Sequence, residues 1–478
     1  MNLPAIALLF VYYAALLLLT IYSFHRLHLI RLLRRAPALV DPAPPDRWPS
    51  LTVQLPLYNE PGVAARLIDS VSRLRYPGQL DIQVLDDSTD GTQAIVAMKV
   101  AELRKRGIRI EQVRRGSRLG FKAGALAHGL SLSRAELFAV FDADFVPPSD
   151  TLLRMVPHLL DAGVGMVQAR WGHLNRDDSA LTQAQAIFLD AHFAIESASR
   201  FAAGVFFNFN GTAGIWKRAA IDEAGGWSSA TLTEDLDLSY RAQLAGWKFV
   251  FLGDVEVPGE LPPTISAFQD QQHRWAKGSI QTARQILPAI ARADLPASVK
   301  SEACFHLTGN AAYVATLILS LLIAPASVIR VTMGMGYLLA VDAMLFCLST
   351  VLILNFYVEG QRALGRRSPT PRALIYVFLI GMGLAVRNSA AVAEGLVRGG
   401  GVFNRTPKRG TLSRFRADRK PRLPLSETAV ITVLASAIAF LLFTHLYAAV
   451  PSLLLFISGN LYAVIALMME RRTSNAGL

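Results

Sequence analysis

Cysteine is almost missing from this chain: Cys304 and Cys347 are the two in 478 residues. Both lie in or beside apolar runs, which argues against a disulfide framework, and their count excludes a cysteine-built zinc site. Charge is scarce as well. Asp, Glu, Lys and Arg make up 18%, below the roughly 25% of soluble domains, while 52% of residues are hydrophobic. Acids are outnumbered by bases, 36 to 48, leaving a net charge of +12. Most of the surplus sits in short loops beside apolar runs, so membrane topology rather than nucleic acid is its expected cause.

Residues 3–24 form an uncharged run long enough to cross roughly 30 Å of hydrocarbon. It lacks the basic residues that precede the core of a cleaved signal. Arg26, Arg31, Arg34 and Arg35 follow it instead. The expectation is a retained anchor over 1–24 with its amino end outside, then a basic, Pro-rich linker over 25–50. Further apolar runs fall at 306–329, 336–358, 373–386, 429–450 and 451–469. Counting all of them as spans would put the loop 397–425 outside. That loop carries Arg398, Arg405, Lys408, Arg409, Arg414, Arg416, Arg419, Lys420 and Arg422 against Asp418 alone, contrary to the positive-inside rule. The run 373–386 has about 14 apolar residues, short for a span, and Arg387 and Asn388 end it. Five spans are therefore expected: the anchor, two within 306–358 and two within 429–469. The segment 373–425 is read as interfacial or re-entrant with a basic loop, and 470–478 as a cytoplasmic tail. Asp342, inside a predicted span, is costly in lipid and should face other helices.

Between 51 and 300 the pattern changes. Strands are expected at 51–55, 81–85, 108–113, 136–141 and 163–168, with helices at 62–74, 92–105, 122–132 and 149–160 between them. Such alternation predicts an α/β domain with a mostly parallel sheet and helices on both faces. Ligands of such sheets bind beyond the carboxyl ends of the strands. Asp86-Asp87 and Asp142-Ala143-Asp144 both stand at strand ends.

These clusters allow chemistry, and each has a plain structural reading beside it. Asp142 and Asp144 suit a Mg²⁺ or Mn²⁺ ion that also binds phosphates, although a second D-x-D, at Asp235 and Asp237, shows how short the motif is. Asp86 and Asp87 could contact a base or ribose, or belong to a helix cap with Ser88 and Asp90. Lys122, among Gly120 and Gly124 at a helix start, suits a phosphate. Asp235, in Thr233-Glu234-Asp235, could be a general base, or an acid favoured in a first helical turn. Gln271, Arg274 and Trp275 share one helix face: a guanidinium for phosphate and an indole for a sugar ring, or membrane-surface anchors. Gln168-Ala-Arg-Trp171 and Phe209-Asn210-Gly211-Thr212 could line an acceptor cleft, or be strand and turn.

Taken in order, Pro56-Leu-Tyr58-Asn-Glu60, Gln83-Val-Leu-Asp86-Asp87, Lys122-Ala-Gly-Ala, Phe141-Asp-Ala-Asp-Phe145, Gln168-Ala-Arg-Trp171, Phe209-Asn-Gly-Thr212, Thr233-Glu-Asp235 and Gln271-Gln-His-Arg-Trp275 resemble the membrane-bound family-two glycosyltransferases with an A-type fold. The likeness is to cellulose-synthase-like mannan and glucan synthases and their bacterial relatives. The resemblance implies donor contacts from Tyr58, Glu60, Asp86, Asp87, Lys122, Asp142 and Arg274. It implies a divalent metal at Asp142 and Asp144, and Asp235 as base of an inverting transfer. Acceptor contacts would come from Trp171, Phe209, Asn210, Gly211, Thr212, Gln271 and Trp275. Phe403, Thr406 and Lys408 look like the family's gating loop, with Arg405 replacing the usual aliphatic residue. The expected activity is transfer of hexose from UDP-glucose or GDP-mannose to a growing β-linked polysaccharide, coupled to membrane passage. A lipid acceptor such as ceramide or diacylglycerol, or a silent scaffold subunit, are the alternatives. Expected partners are the nucleotide sugar, the glycan or lipid acceptor and membrane lipids, with no nucleic acid. The expected location is a bacterial plasma membrane with the catalytic domain in the cytoplasm.

Overall fold

In the computed structural model, residues 3–34, 40, 42–401, 408, 410 and 421–475 are described. The centre of the molecule is a seven-stranded sheet: β1 (Leu51–Leu57), β2 (Leu80–Asp86), β3 (Ile110–Val113), β4 (Leu137–Val140), β5 (Val164–His173), β6 (Gly214–Lys217) and β7 (Lys248–Gly259). Their order is β3-β2-β1-β4-β6-β5-β7. β6 runs antiparallel to β4 and β5, and every other pair is parallel. Leu51, Val53 and Leu55 are wholly buried, and so are Thr52 and Gln54 between them, as a strand covered on both faces requires. The inward amides form a relay along the sheet. Gln54 donates to Gln83 (3.2 Å), and Gln83 donates to Glu111 (3.2 Å).

The five expected strands are present, with β5 running on to His173. The sequence reading missed β6 and β7. It did place the helices Phe121–Leu132 and Thr92–Lys105 closely, while the expected helix at 149–160 breaks into Thr151–Met155 and a 3₁₀ turn, Val156–Leu159. The chain climbs from β1 to β3 on one side and then crosses to β4 on the other. The crevice between the ends of β1 and β4 is thus a topological switch point, where α/β sheets bind ligands. Parallel pairing sets Leu57 level with Asp86, so both loops open onto one rim.

Five described helices are long and apolar enough to cross a membrane: Leu3–Leu33, Ala311–Thr332, Leu338–Ala363, Leu425–Phe443 and Tyr447–Thr473. The helices Pro371–Gly383 and Ala385–Val397 form a pair bent by 43°, which would be a sixth span if taken as one. Val377 and Ile380 of the first pack with Leu467 and with Ala184 and Ile187 of the sheet domain. The apolar run expected to begin at 306 instead starts in a separate helix, Ala297–Thr308, with the long helix following at Ala311. Asp342 is buried, as its cost in lipid demands. It is paired with Arg330 and accepts from the Tyr12 hydroxyl at 2.8 Å.

Candidate active site

One cavity begins at the sheet rim and ends among the apolar helices. Its rim is lined by Tyr58, Glu60, Asp87, Lys122, Asp142 and Asp144, its middle by Asp235, Arg274, Trp171 and Trp275, and its far end by Tyr313, Tyr357, Ile353, Val377 and Met382.

Lys122 stands in the first turn of Phe121–Leu132, whose start Gly120 makes in a left-handed conformation (φ 73°). Its ammonium donates to the Gly211 carbonyl (2.8 Å) and meets Asp142 Oδ1 at 2.6 Å and Glu234 Oε1 at 3.9 Å. Burial pulls this ammonium down, but Asp142 and Glu234 outweigh burial and hold its pKa above the ordinary lysine value. Burial raises the Asp142 carboxyl, with Lys122 opposing. Asp142 is positioned through its backbone, which donates to Thr212 Oγ1 at 2.9 Å.

Asp235 lies in the first turn of the helix Glu234–Leu244. Thr233 ahead of it makes no side-chain cap; its hydroxyl meets that of Thr282 instead (3.2 Å). Burial and the neighbouring Glu234 push the Asp235 carboxyl up to about 7, against the pull of Lys122. A carboxylate tuned near neutrality is suited to accept a proton at ordinary pH. Gly211 (φ 82°) closes over it, and a methyl there would stand 2.7 Å from Asp235 Oδ2. Arg274, on the helix Ile265–Arg292, is lowered by burial and drawn back up by Glu234, Asp142 and Asp235. Trp275 and Trp171 have ring centroids 6.5 Å apart, and Phe145 meets Trp171 edge-on at 5.2 Å. Among the described residues the buried Trp171 indole N–H has no hydrogen-bond partner.

No three His, Cys, Asp or Glu side chains converge as a cage among the described residues. Asp142 and Asp144 nevertheless each face positive charge, from Lys122 and from Lys408, whose ammonium is 2.7 Å from Asp144 Oδ2. Two hard carboxylate donors at a rim fit a Mg²⁺ or Mn²⁺ that takes its other ligands from phosphate and water.

Several expected site residues serve elsewhere. Phe209 is wholly buried against Trp216 and Trp227, and Thr212, also wholly buried, holds the Asp142 backbone; neither lines the cavity. Asp86 is buried and accepts from Ser88 N (2.9 Å) and Gln112 (2.7 Å). Asp87 does reach the cavity, but Arg115 grips both its oxygens (2.8 and 2.5 Å). Asn210, Gly211 and Gln271 do line it. Phe403 and Thr406 lie outside the described residues. Sequence reasoning missed Arg115, Arg118 and His192. The first two belong to a basic cluster just past the end of β3, a legible signal. His192 opens a π-helical turn, His192–Ser197, and bonds Asn210 (2.9 Å) and Glu196 (3.3 Å). Burial pushes its imidazole down to about 4.

Residues 49–278 match the model of glycosyltransferase like family 2. The chain is 45% identical over 253 residues to glucomannan 4-beta-mannosyltransferase 2 of Arabidopsis thaliana, covering 52% of this chain and 47% of that protein. It is 41% identical over 279 residues to glucomannan 4-beta-mannosyltransferase 1 of Oryza sativa subsp. japonica, covering 55% and 54%. The chain thus spans about half the length of these curated relatives. They are plant proteins, which lends the expected bacterial membrane no support. In fold it is similar to a mannosyltransferase from Pyrobaculum calidifontis solved with GDP-Man and Mn²⁺ (TM-score 0.55, 22% identity, 82% of this chain and 98% of that one).

Proposed function

From the premise that residues 49–278 are a family 2 glycosyltransferase domain of A-type fold, we propose that the protein transfers mannose from GDP-mannose to a β-linked glycan. The observation that carries this reading is the continuity of the cavity. Its rim is lined by Lys122 and paired carboxylates, its middle by Asp235, Arg274 and an aromatic pair, and its far end by residues of helices long and apolar enough to cross a membrane. A sugar nucleotide would enter at the rim, and an acceptor chain would extend the other way.

Lys122 and Arg274 bind the donor's diphosphate. Asp142 and Asp144 would hold the divalent cation, which supplies neutralising charge on the leaving diphosphate. Asp235 takes the proton of the acceptor hydroxyl as that oxygen attacks the anomeric carbon. The bond to diphosphate breaks on the opposite side, so one displacement inverts the configuration. Trp275 and Trp171 hold the acceptor ring, and the buried indole N–H of Trp171 awaits a sugar oxygen. Lys408, between Asp144 and the Glu260 carbonyl (2.6 Å), closes the rim. The catalytic domain and both basic loops face the cytoplasm, with the amino end of the first helix outside.

The apolar far end (Leu19, Ile353, Leu354, Val377, Phe378 and Met382) favours a second reading, a lipid acceptor whose alkyl chain lies there. Incubating purified protein with GDP-mannose or UDP-glucose and Mn²⁺ separates these readings. GDP release with polymer formation is expected. A single sugar on lipid establishes the second reading, and no nucleotide release from either donor leaves only a scaffold.

A further inference from the structure

The loop 114–120 follows β3 at the outer side of the switch-point crevice, where β1 and β2 also end. Two of its three arginines, Arg115 and Arg118, have opposite fates. Arg115 is fully engaged, donating to both oxygens of Asp87 and to the carbonyls of Leu119 and Phe121 (2.8 Å each). It is the scaffold of the loop. Arg118 stacks instead, its Cζ 3.3 Å from the centre of the Tyr58 ring and 5.0 Å from that of Phe121. Among the described residues its buried Nε has no hydrogen-bond partner, and its guanidinium donates no hydrogen bond. Leaving such a donor unmet costs free energy, so the arrangement is poised for a ligand with acceptors. Arg118 lines the cavity with Tyr58, Glu60 and Asp87. Lys122 and Asp142, the phosphate end, lie on the inner side of the same rim, and the aromatic pair lies beyond them. A sugar nucleotide with its diphosphate at Lys122 and its sugar toward Asp235 therefore directs its base to Arg118.

We propose that Arg118 reads the nucleobase of the donor and selects guanine over uracil. The inference rests on the sugar-nucleotide reading above and assigns that site its base preference. A planar guanidinium offers two parallel donors, and guanine offers two adjacent acceptors, O6 and N7. Uracil offers O4 beside an N–H donor, so one of the two bonds is lost. Adenine offers N7 beside an amino donor, which opposes the fork. Tyr58 holds the guanidinium plane by stacking, and Arg115 with Asp87 fixes the loop that carries it. Lysine at 118 would keep the charge and lose the fork.

The test is nucleotide binding by the purified full-length protein in detergent with Mg²⁺, using GDP, UDP and 7-deaza-GDP, which lacks the N7 acceptor. Wild-type protein should bind GDP about tenfold or more tighter than UDP or 7-deaza-GDP. Arg118→Lys should lose about tenfold for GDP and change little for UDP. The 7-deaza comparison needs no variant, so it stands even if the substituted protein folds poorly. Equal affinity for GDP and 7-deaza-GDP overturns the proposal. An equal loss of GDP and UDP in Arg118→Lys also overturns it, because Arg118 then serves the phosphates. If wild type binds neither GDP nor UDP, the sugar-nucleotide reading fails first and takes this inference with it.

Discussion

Asp235 combines burial, the neighbouring Glu234 carboxylate and the opposing charge of Lys122, and its protonation decides whether it can act. The carboxyl is raised to about 7, so below that pH it is protonated and cannot accept the acceptor's proton. Turnover should therefore climb about tenfold per pH unit up to pH 7 and flatten above it. Asp235→Asn should lower kcat by about 10²–10⁴ and remove that rising limb, as steady-state GDP release across pH would show. A variant that kept the limb would move the base to another residue. The sequence carried the identity of this acid, but not the depth at which it sits. The same limit explains Phe209, Thr212 and Asp86. A string of motif letters does not distinguish a side chain facing the cavity from one that builds its wall, and burial separated them.

At the scale of elements, the reach of local pattern is clear. Gln271, Arg274 and Trp275 were expected on one helix face, and the long helix Ile265–Arg292 puts all three on the cavity wall. β6 was missed because four residues carry too little alternation to mark a strand. Its antiparallel pairing with both β4 and β5 arises from partners far off in sequence. The turn just before β6 has a consequence. Gly211 is left-handed, and a methyl would meet Asp235 Oδ2 at 2.7 Å. Gly211→Ala should cost about 1–2 kcal/mol of backbone strain and displace the Asp235 carboxyl. Thermal unfolding would register a modest loss, while kcat should fall by far more than that loss explains. Unchanged kcat would mean that the close approach of Gly211 does not shape the site.

Across the whole molecule, the catalytic domain is locked to the helical bundle by buried charge. Asp190 is wholly inaccessible, and His173 (3.1 Å), Arg176 (2.5 Å), Gln361 (2.9 Å) and Arg366 (3.4 Å) converge on it from both parts. Its contacts with His173 and Arg176 hold its carboxyl well below the usual carboxylate range despite burial. Near the other end of the bundle, Arg330 is fully buried and depends on Asp342. Asp342→Ala should destabilise the protein by about 3–5 kcal/mol by stranding that charge. The double variant Arg330→Met/Asp342→Leu should recover most of the loss in thermal unfolding. Equal destabilisation of single and double variants would show that the pair is not the source. The apolar runs in the sequence announced the long apolar helices, since length and hydropathy are local properties. The contacts that join domain to bundle were not legible, because single histidines, arginines and acids give no sign of meeting across 170 or more residues.

The most direct test of the account supplies GDP-[¹⁴C]mannose and Mn²⁺ to the detergent-purified protein and digests the product with an endo-β-mannanase. The account predicts label in long, alkali-stable chains that the enzyme cuts to short oligosaccharides, with such label reduced by about 10²-fold or more in Asp235→Asn. Label confined to a chloroform-soluble, single-sugar product would contradict it, as would polymer that resists the β-mannanase.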